Sequence, residues 1–140
     1  MIGAATTVIS IGLFLFAAEM KIKHEQWKAI AEGNGEYHIS DHGRVKSLKF
    51  GKERILKRAI NSSGYWYIFI FVKNQKPKFC MIHKLMAVAF IPNTENKKEV
   101  NHKDGNKLNN NLCNLEWVTH SENMKHAWDT GLFKSKIKKF

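Results

Sequence analysis

Apolar and polar positions between residues 25 and 60 follow the pattern of short β-strands joined by tight turns. The segments EYHIS, RVKSL and RILKR each mix apolar with polar or basic side chains, and Asp41-His42-Gly43 and Gly51 separate them. Runs of this length are typical of strands, and aspartate and glycine favour the turns between them. One face of such a ribbon can pack on a core while the other carries its charges.

A second β pattern begins at residue 65. Residues 65–72 (YWYIFIFV) are apolar and aromatic throughout, and the turn-like segment KNQKPK separates them from another apolar run, FCMI. Two such runs around a turn predict a hairpin over about residues 65–82. We expect Trp66, Phe69 and Phe71 to lie in the core rather than to form a stacking surface.

Helical spacing replaces the β pattern in the segment HKLMAVAFIP. Leu85, Val88 and Ala89 recur at the spacing of a helix face until Pro92, which cannot continue a helix. His83 stands at the helix entry, where we expect a structural residue held by hydrogen bonds.

The last pattern predicts a strand, a loop, a strand and a helix. EVNH and LEWV have the character of strands, and the segment KDGNKLNNN is rich in residues that tolerate tight or left-handed turns. Thr119-x-x-Glu122 then matches a capping box, which predicts a helix that runs to about Asp129 and ends at Gly131. The pattern as a whole predicts an α+β fold, with a small antiparallel β-rich part at residues 20–82 and the strand–loop–strand–helix unit at 83–133.

The ends of the chain differ from this pattern. Residues 1–18 (MIGAATTVISIGLFLFAA) hold thirteen apolar side chains and no charge, whereas residues 134–140 form a basic tail. As a helix the first segment would reach about 27 Å, slightly less than the roughly 30 Å of a bilayer core. Residues 1–19 are therefore either a dispensable extension or an apolar helix with a membrane or packing role.

The charge of the chain indicates a polyanionic partner. Twenty-three lysines and arginines against twelve aspartates and glutamates give a formal net charge of +11. Such a surplus attracts nucleic acid with a strength that falls as salt rises. Nucleic acid is therefore the first candidate partner, and an anionic membrane is the second. A basic β-ribbon has a shape that fits a groove of double-stranded DNA. The predicted DNA contacts are the seven basic residues of the ribbon, Arg44, Lys46, Lys49, Lys52, Arg54, Lys57 and Arg58.

Cysteine usage argues against a zinc knuckle. Cys80 and Cys113 lie far apart, and neither has a CxxC partner. Two isolated thiols fit a reducing, cytoplasmic setting better than a disulfide-bonded secreted protein.

Residues 100–123 carry the candidate chemistry, with seven asparagines around His102. His102, Asn114 and Asn123 stand 12 and 9 positions apart, within the segments NHKDGNKLNN and NLEWVT. This order resembles the signature of HNH homing endonucleases of the phage and intron-encoded type, in which Asn occupies the last position. Upstream, EQWKAI, GEYHISDHGRVKSL and IHKLMAVAFIP resemble the segments that precede the motif in that family.

The resemblance implies a ββα-metal nuclease that cuts or nicks DNA in the host cell of a phage or mobile element. His102 would be the general base, because an imidazole with the usual pKa of about 6.5 is mostly neutral at pH 7. One divalent ion, Mg²⁺ or Mn²⁺, would be held by the amide oxygens of Asn101 and Asn123, since Mg²⁺ needs few protein ligands beside substrate phosphate. Asn114 would orient His102 or tie the loop together.

One departure from the family pattern leaves an alternative open. Several relatives carry Asp beside the catalytic His, whereas this chain has Asn101, and a neutral ligand lowers metal affinity. Asp104 is a compensating acid only if it is not simply the first residue of an Asp-Gly turn. The alternative function is a DNA-binding protein that keeps the nuclease fold without cleaving; a third is a basic protein tethered to a membrane by residues 1–18.

The other polar residues of the segment have less specific expectations. We expect His120 to be exposed and His126 to be either a surface histidine or a phosphate contact. The remaining loop asparagines are expected to form turns. They are Asn106, Asn109, Asn110 and Asn111.

Overall fold

The computed structural model describes residues 24–132 of the chain. Within that range nine β-strands and two α-helices form an α+β fold whose strands make three antiparallel sheets. The expectations for residues 1–19 and for the tail at 134–140 lie outside the described residues. No helix between residues 24 and 132 combines the length and the apolar character that crossing a bilayer requires.

The first sheet contains the strands predicted from the basic ribbon. Its order is β1 (Trp27–Ala29), β2 (Tyr37–Ser40), β3 (Val45–Ser47) and β4 (Arg54–Ile55). Gly43, with φ of 73°, closes the turn between β2 and β3, and a Cβ there would lie 3.0 Å from the Met86 sulfur. Glycine is required by both the left-handed backbone and the close contact. The paired residues Ile39 and Val45 are buried, whereas Ile55, an apolar position of the ribbon on the edge strand β4, is 49% exposed.

The second sheet contains the predicted hairpin and corrects one expectation. It is formed by β5 (Ala59–Ile60), β6 (Trp66–Ile70) and β7 (Lys78–Met81). Phe69 and Phe71 are 43% and 54% exposed and do not lie in the core, whereas Trp66 packs against it. Strand alternation explains the difference, because the even-numbered residues of β6 face inward and the odd-numbered ones outward.

The outward side chains of this sheet form an aromatic cluster. The Phe69 ring lies 5.7 Å from Tyr67, 6.4 Å from Phe71 and 5.8 Å from Phe79, measured between ring centroids. These four residues, the aromatic face, contact one another instead of the core.

Helix α1 (Ile82–Phe90) joins the three sheets. It packs against strands of each sheet and ends before Pro92, as predicted. Ile82 and Met86 are fully buried, and the core around them combines residues from the β-rich part with Val100 and Leu115. The proposed boundary between residues 82 and 83 stays a prediction.

The last three elements are β8 (Glu99–His102), β9 (Leu115–Val118) and helix α2 (His120–Asp129). The capping box is confirmed: Thr119 Oγ1 accepts the Glu122 N–H at 3.2 Å, and Glu122 Oε2 accepts the Thr119 N–H at 2.7 Å. Gly131 has a φ of 73° just beyond the helix, at the predicted stop. The capping box thereby fixes the residue at which helix α2 begins.

His83 is a buried histidine without the expected hydrogen bonds. It is 3% exposed, and its Nδ1 has no partner among the described residues. Its ring instead lies 4.9 Å from that of Tyr65 and 5.0 Å from that of His102, between centroids. Burial, with smaller contributions from His102 and Lys84, lowers the pKa of His83 to about 3.

This depressed pKa predicts a loss of stability in acid. The folded-state pKa of about 3 is below the ordinary value of 6.5. Between these values only the unfolded chain binds the proton, so the stabilisation is complete above pH 6.5 and is lost as pH falls towards 3. Replacing His83 with Phe should reduce the slope of unfolding free energy against pH by up to about 1.4 kcal/mol per pH unit.

Urea denaturation at intervals through the acid range measures the slope. The control is His24→Phe, which removes an exposed histidine and should leave the slope as in the parent. An unchanged slope in His83→Phe would show that this imidazole is not the group that couples acid to unfolding.

Candidate active site

A cleft of about 360 Å³ opens between the end of the β8–β9 hairpin and helix α2. Three of the residues singled out from the sequence, Asn101, His102 and Asn123, line this one cleft. Its other lining residues are Tyr65, Gly105, Lys107, Met124, His126, Ala127 and Leu132. No carboxylate lines the cleft in the described part of the chain.

His102 is the last residue of β8 and is 4% exposed. Its Nε2 lies 2.9 Å from Asn110 Oδ1. The oxygen of an amide only accepts hydrogen bonds, so Nε2 donates in this contact and Nδ1 is the nitrogen left for a ligand. Tyr65 and His83 pack against the ring, with centroids 5.9 and 5.0 Å away. These contacts hold the imidazole in one orientation.

Asn110 is a site residue that the sequence reasoning missed, because it was expected only to form a turn. Its side chain is buried, and its Nδ2 has no hydrogen-bond partner among residues 24–132. Asn110 stands in a run of three asparagines, and only the folded loop distinguishes the one that meets His102.

Asn101 is 7% exposed and pairs across the hairpin with Glu116. Its Nδ2 donates to Glu116 Oε1 at 3.0 Å. Directly paired residues of antiparallel strands project from the same face, which brings this amide and this carboxylate together. The Asn101 Oδ1 accepts no hydrogen bond from a described residue.

Asn123 is held in the same manner from the start of helix α2. Its Nδ2 donates to Glu99 Oε2 at 2.6 Å, and His120 Nδ1 lies 2.8 Å from the other oxygen of that carboxylate. The hydrogen bonds from Asn123 and His120 lower the pKa of Glu99. His120 is exposed, as expected. Each of the two amides of the cleft therefore donates a hydrogen bond to its own carboxylate, and both carboxylates are outside the cleft.

Asn114 does not line the cleft and makes no hydrogen bond to His102. Its Nδ2 donates to Asp104 Oδ1 and to the Asn109 carbonyl, both at 2.9 Å, and its Oδ1 accepts the Asp104 N–H at 3.1 Å. Its carbonyl accepts the Lys103 N–H. Asn114 was expected either to orient His102 or to tie the loop together, and these contacts agree with the second role.

Asp104 is fully engaged in the same loop. It accepts hydrogen bonds from Asn109, Asn114 and the Asn106 N–H, and these lower its pKa. Asp104 is absent from the lining of the cleft. These bonds fit its role as the first residue of a turn, and they leave the deficit of charge at Asn101 without a compensating acid in the cleft.

Two basic groups border the cleft. Lys107 Nζ lies 4.8 Å above the Tyr65 ring and donates to the Ser63 carbonyl at 3.0 Å. His126 Nε2 lies 3.0 Å from the Lys103 carbonyl, so this half-buried ring is part of the wall. Burial, followed by the charge of Glu99, raises the pKa of Tyr65. The cleft thus offers the charge of Lys107 and several polar groups to an anionic ligand.

The seven predicted DNA contacts divide into two groups. Arg44 donates to Glu25 and lowers the pKa of that carboxyl to about 2, while Lys46 pairs with Glu53 at 3.0 Å. Lys49 pairs with Glu36, and Arg58 lies over the Trp66 ring. The second group makes no ion pair within the described range and is exposed: Lys52, Arg54 and Lys57.

The donor set of the cleft fits a hard divalent cation. Because each Nδ2 donates to a carboxylate, the amide oxygens of Asn101 and Asn123 are the atoms available as cation ligands. Oxygen ligands suit Mg²⁺ and Mn²⁺, whereas zinc sites favour sulfur and nitrogen. The cysteines of the described range, Cys80 and Cys113, are free thiols that do not line the cleft.

The chain matches two family models that together cover most of the described range. Residues 25–71 match the NUMOD4 motif, and residues 80–125 match HNH endonuclease. The first match covers the first sheet, β1 to β4, together with β5 and β6. The second covers α1, the β8–β9 hairpin and the start of α2.

Individual relatives agree with the family models. The chain is 42% identical over 113 residues to the uncharacterized HNH endonuclease L247 of Acanthamoeba polyphaga mimivirus, a match covering 79% of this chain and 28% of the relative. It is 41% identical over 106 residues to the DNA endonuclease I-HmuI of Bacillus phage SP01, which covers 76% of this chain and 59% of that protein.

A solved structure shows the same fold. The structure of DNA binding and cleavage by the HNH homing endonuclease I-HmuI matches with a TM-score of 0.66 and 40% identity, over 76% of this chain and 59% of the other. This chain spans less than two thirds of these curated relatives. The HNH match covers Asn101, His102 and Asn123 of the cleft, and the chain belongs to the HNH endonuclease family.

Proposed function

We propose that this chain hydrolyses DNA phosphodiester bonds as a homing-endonuclease-like HNH nuclease that uses one divalent cation, Mg²⁺ or Mn²⁺. The observation that carries the proposal is the single cleft that holds Asn101, His102 and Asn123. The relatives named as DNA endonucleases support it, and divalent-metal dependence is general among HNH endonucleases.

His102 would act as the general base. Asn110 fixes the proton on Nε2, so Nδ1 can accept a proton from the attacking water. Packing by Tyr65 and His83 prevents the ring from turning away. Asn101 and Asn123 would hold the cation, which supplies positive charge to the phosphate as negative charge develops there. Lys107, at the edge of the cleft, adds a second positive charge for the backbone phosphate.

Replacing His102 with Ala should abolish nicking of supercoiled plasmid in Mg²⁺ or Mn²⁺. Loss of a general base lowers a rate by about 10²- to 10⁴-fold. The matched control is His24→Ala, at an exposed histidine far in the sequence from the cleft, which should nick like the parent. Circular dichroism of both variants should show that the fold is kept.

Two results would contradict the proposal in different ways. Cleavage by His102→Ala at the parental rate would remove His102 from the role of base. Tight DNA binding by the parent in EDTA without cleavage in any divalent metal would favour the alternative, a non-catalytic DNA-binding protein, and would overturn the nuclease itself.

The contact between Asn110 and His102 predicts a specific loss of turnover. Asn110→Leu removes the acceptor for Nε2–H and should lower kcat by at least about tenfold, with little change in KM for DNA, because only the base is misoriented. Asn110→Asp keeps an oxygen at that position and should retain more of the activity. Asn111→Ser is the control, because serine also caps the following turn. Equal kcat in Asn110→Leu and the parent would exclude this positioning role.

For DNA binding we propose that Lys52, Arg54 and Lys57 make the phosphate contacts of the first sheet. They are exposed and free of ion pairs within residues 24–132, so they can release counterions from DNA without first losing a protein partner. Arg44, Lys46, Lys49 and Arg58 would mainly hold the sheet together, because their charges already face protein groups.

This division predicts different salt dependences. Each of Lys52→Ala, Arg54→Ala and Lys57→Ala should reduce the slope of log affinity against log salt by about 1. Arg44→Ala is the matched control, and its slope should change less because its charge is already paired with Glu25. Fluorescence anisotropy with duplex DNA in EDTA at several salt concentrations measures the slope. A larger change in Arg44→Ala than in the three others would reverse the assignment.

A further inference from the structure

Two carboxylates stand directly behind the two amides of the cleft. Glu116 Oε1 lies 3.0 Å from Asn101 Nδ2, and Glu99 Oε2 lies 2.6 Å from Asn123 Nδ2. Neither glutamate lines the cleft, whereas both asparagines do. Both contacts involve β8, which carries Asn101 and Glu99, and their partners are Glu116 in β9 and Asn123 in helix α2. An asparagine that lines the cleft and donates to a glutamate outside it therefore occurs twice at this site.

Each carboxylate determines which end of its amide faces the cleft. An ionised carboxylate only accepts hydrogen bonds, so it must meet the NH₂ end of an asparagine and not its oxygen. The geometry therefore leaves Asn101 Oδ1 and Asn123 Oδ1 as the ends that can meet a ligand, and no described residue donates to either oxygen. Without an acceptor behind it, an amide can present nitrogen or oxygen with little preference, and nitrogen would repel a cation.

The carboxylates also supply charge. The polar lining of the cleft consists of neutral amides, histidines, a tyrosine and Lys107, with no acid in the described part of the chain. Glu99 and Glu116 are one hydrogen bond behind the amide oxygens. At that separation the negative charge of a half-buried carboxylate still attracts a divalent cation, and it polarises the amide so that its oxygen becomes more negative.

We propose that Glu116 and Glu99 are positioning residues for a divalent cation, which orient the oxygens of Asn101 and Asn123 towards the cleft and provide the negative charge that its lining lacks. This inference rests on the proposed function, because it concerns the cation of that site. The negative charge of the site would then come from Glu99 and Glu116, which act through the two asparagines and do not bind the cation themselves.

The test measures binding of Mn²⁺ alone, without turnover. Mn²⁺ added to ¹⁵N-labelled protein broadens the resonances of nearby nuclei, and the backbone amides of Gly105, Asn123 and Ala127 report on the cleft. The concentration dependence of the broadening gives an apparent affinity for each variant. The spectrum before Mn²⁺ is added shows whether the variant is folded.

Two substitutions at Glu116 separate orientation from charge. Glu116→Leu removes both and should weaken Mn²⁺ binding by about tenfold or more, as expected for loss of a group that supports a ligand. Glu116→Gln keeps an oxygen that can accept from Asn101 but removes the charge, so the loss should be smaller and still measurable. Glu99→Gln should give a loss like that of Glu116→Gln.

Glu95→Gln is the matched control, since it removes one negative charge from an exposed loop side chain and should leave the affinity unchanged. If Glu116→Leu does not fold, the two glutamine variants decide the question. Affinities within twofold of the parent in both glutamine variants and in any folded Glu116→Leu protein would overturn the proposal and leave these residues with a purely structural role.

The plasmid assay distinguishes failure of this inference from failure of the proposed function. If the parent nicks DNA and binds Mn²⁺ at the cleft while the glutamate variants bind equally well, only the inference fails. If the parent binds Mn²⁺ with the expected dependence on Glu116 and Glu99 but does not nick DNA, the inference holds and the nuclease function fails. If Mn²⁺ leaves the cleft resonances of the parent unchanged, the inference is overturned.

Discussion

The register of the hairpin formed by β8 and β9 determines the geometry of the cleft. Asn101 is paired with Glu116 and His102 with Leu115. A shift of one residue would move each side chain of a strand to the opposite face, and Asn101 would then lose its carboxylate. The register is stabilised by the core, because Val100 and Leu115 are buried on one side of the hairpin. It is stabilised again by the loop that Asn114 ties to Asp104 and Asn109.

This arrangement accounts for the abundance of neutral amides in the segment. Asn114 ties the loop, Asn110 contacts the imidazole of His102, and Asn101 and Asn123 line the cleft. The negative charge is not missing from the site; it lies behind the amides, at Glu99 and Glu116. A cleft of this kind has little negative charge at its surface, which suits the proposed binding of a DNA phosphate.

Elements that depend on local rules could be predicted from the sequence. The capping box of Thr119 and Glu122, the helix end before Pro92 and the strand of residues 99–102 depend on neighbouring residues and were confirmed. Features that depend on contacts between distant segments could not. Glu116 becomes relevant only through its pairing with Asn101, and Asn110 only because the loop folds back on His102. Phe69 and Phe71 were misassigned because a wholly apolar strand hides the alternation that decides which side is buried.

The capping box has a thermal consequence for the cleft. Asn123 follows Glu122 directly, so its place in the wall depends on the first turn of helix α2. Helix ends open more readily than packed cores, and this end is secured by side-chain hydrogen bonds: the reciprocal pair of Thr119 and Glu122, and the contacts of His120 and Asn123 with Glu99. On warming, this first turn should fray while the core around Met86 is still intact. The chain would then keep its shape but lose one wall of the cleft, so inactivation by heat should begin below the temperature of global melting.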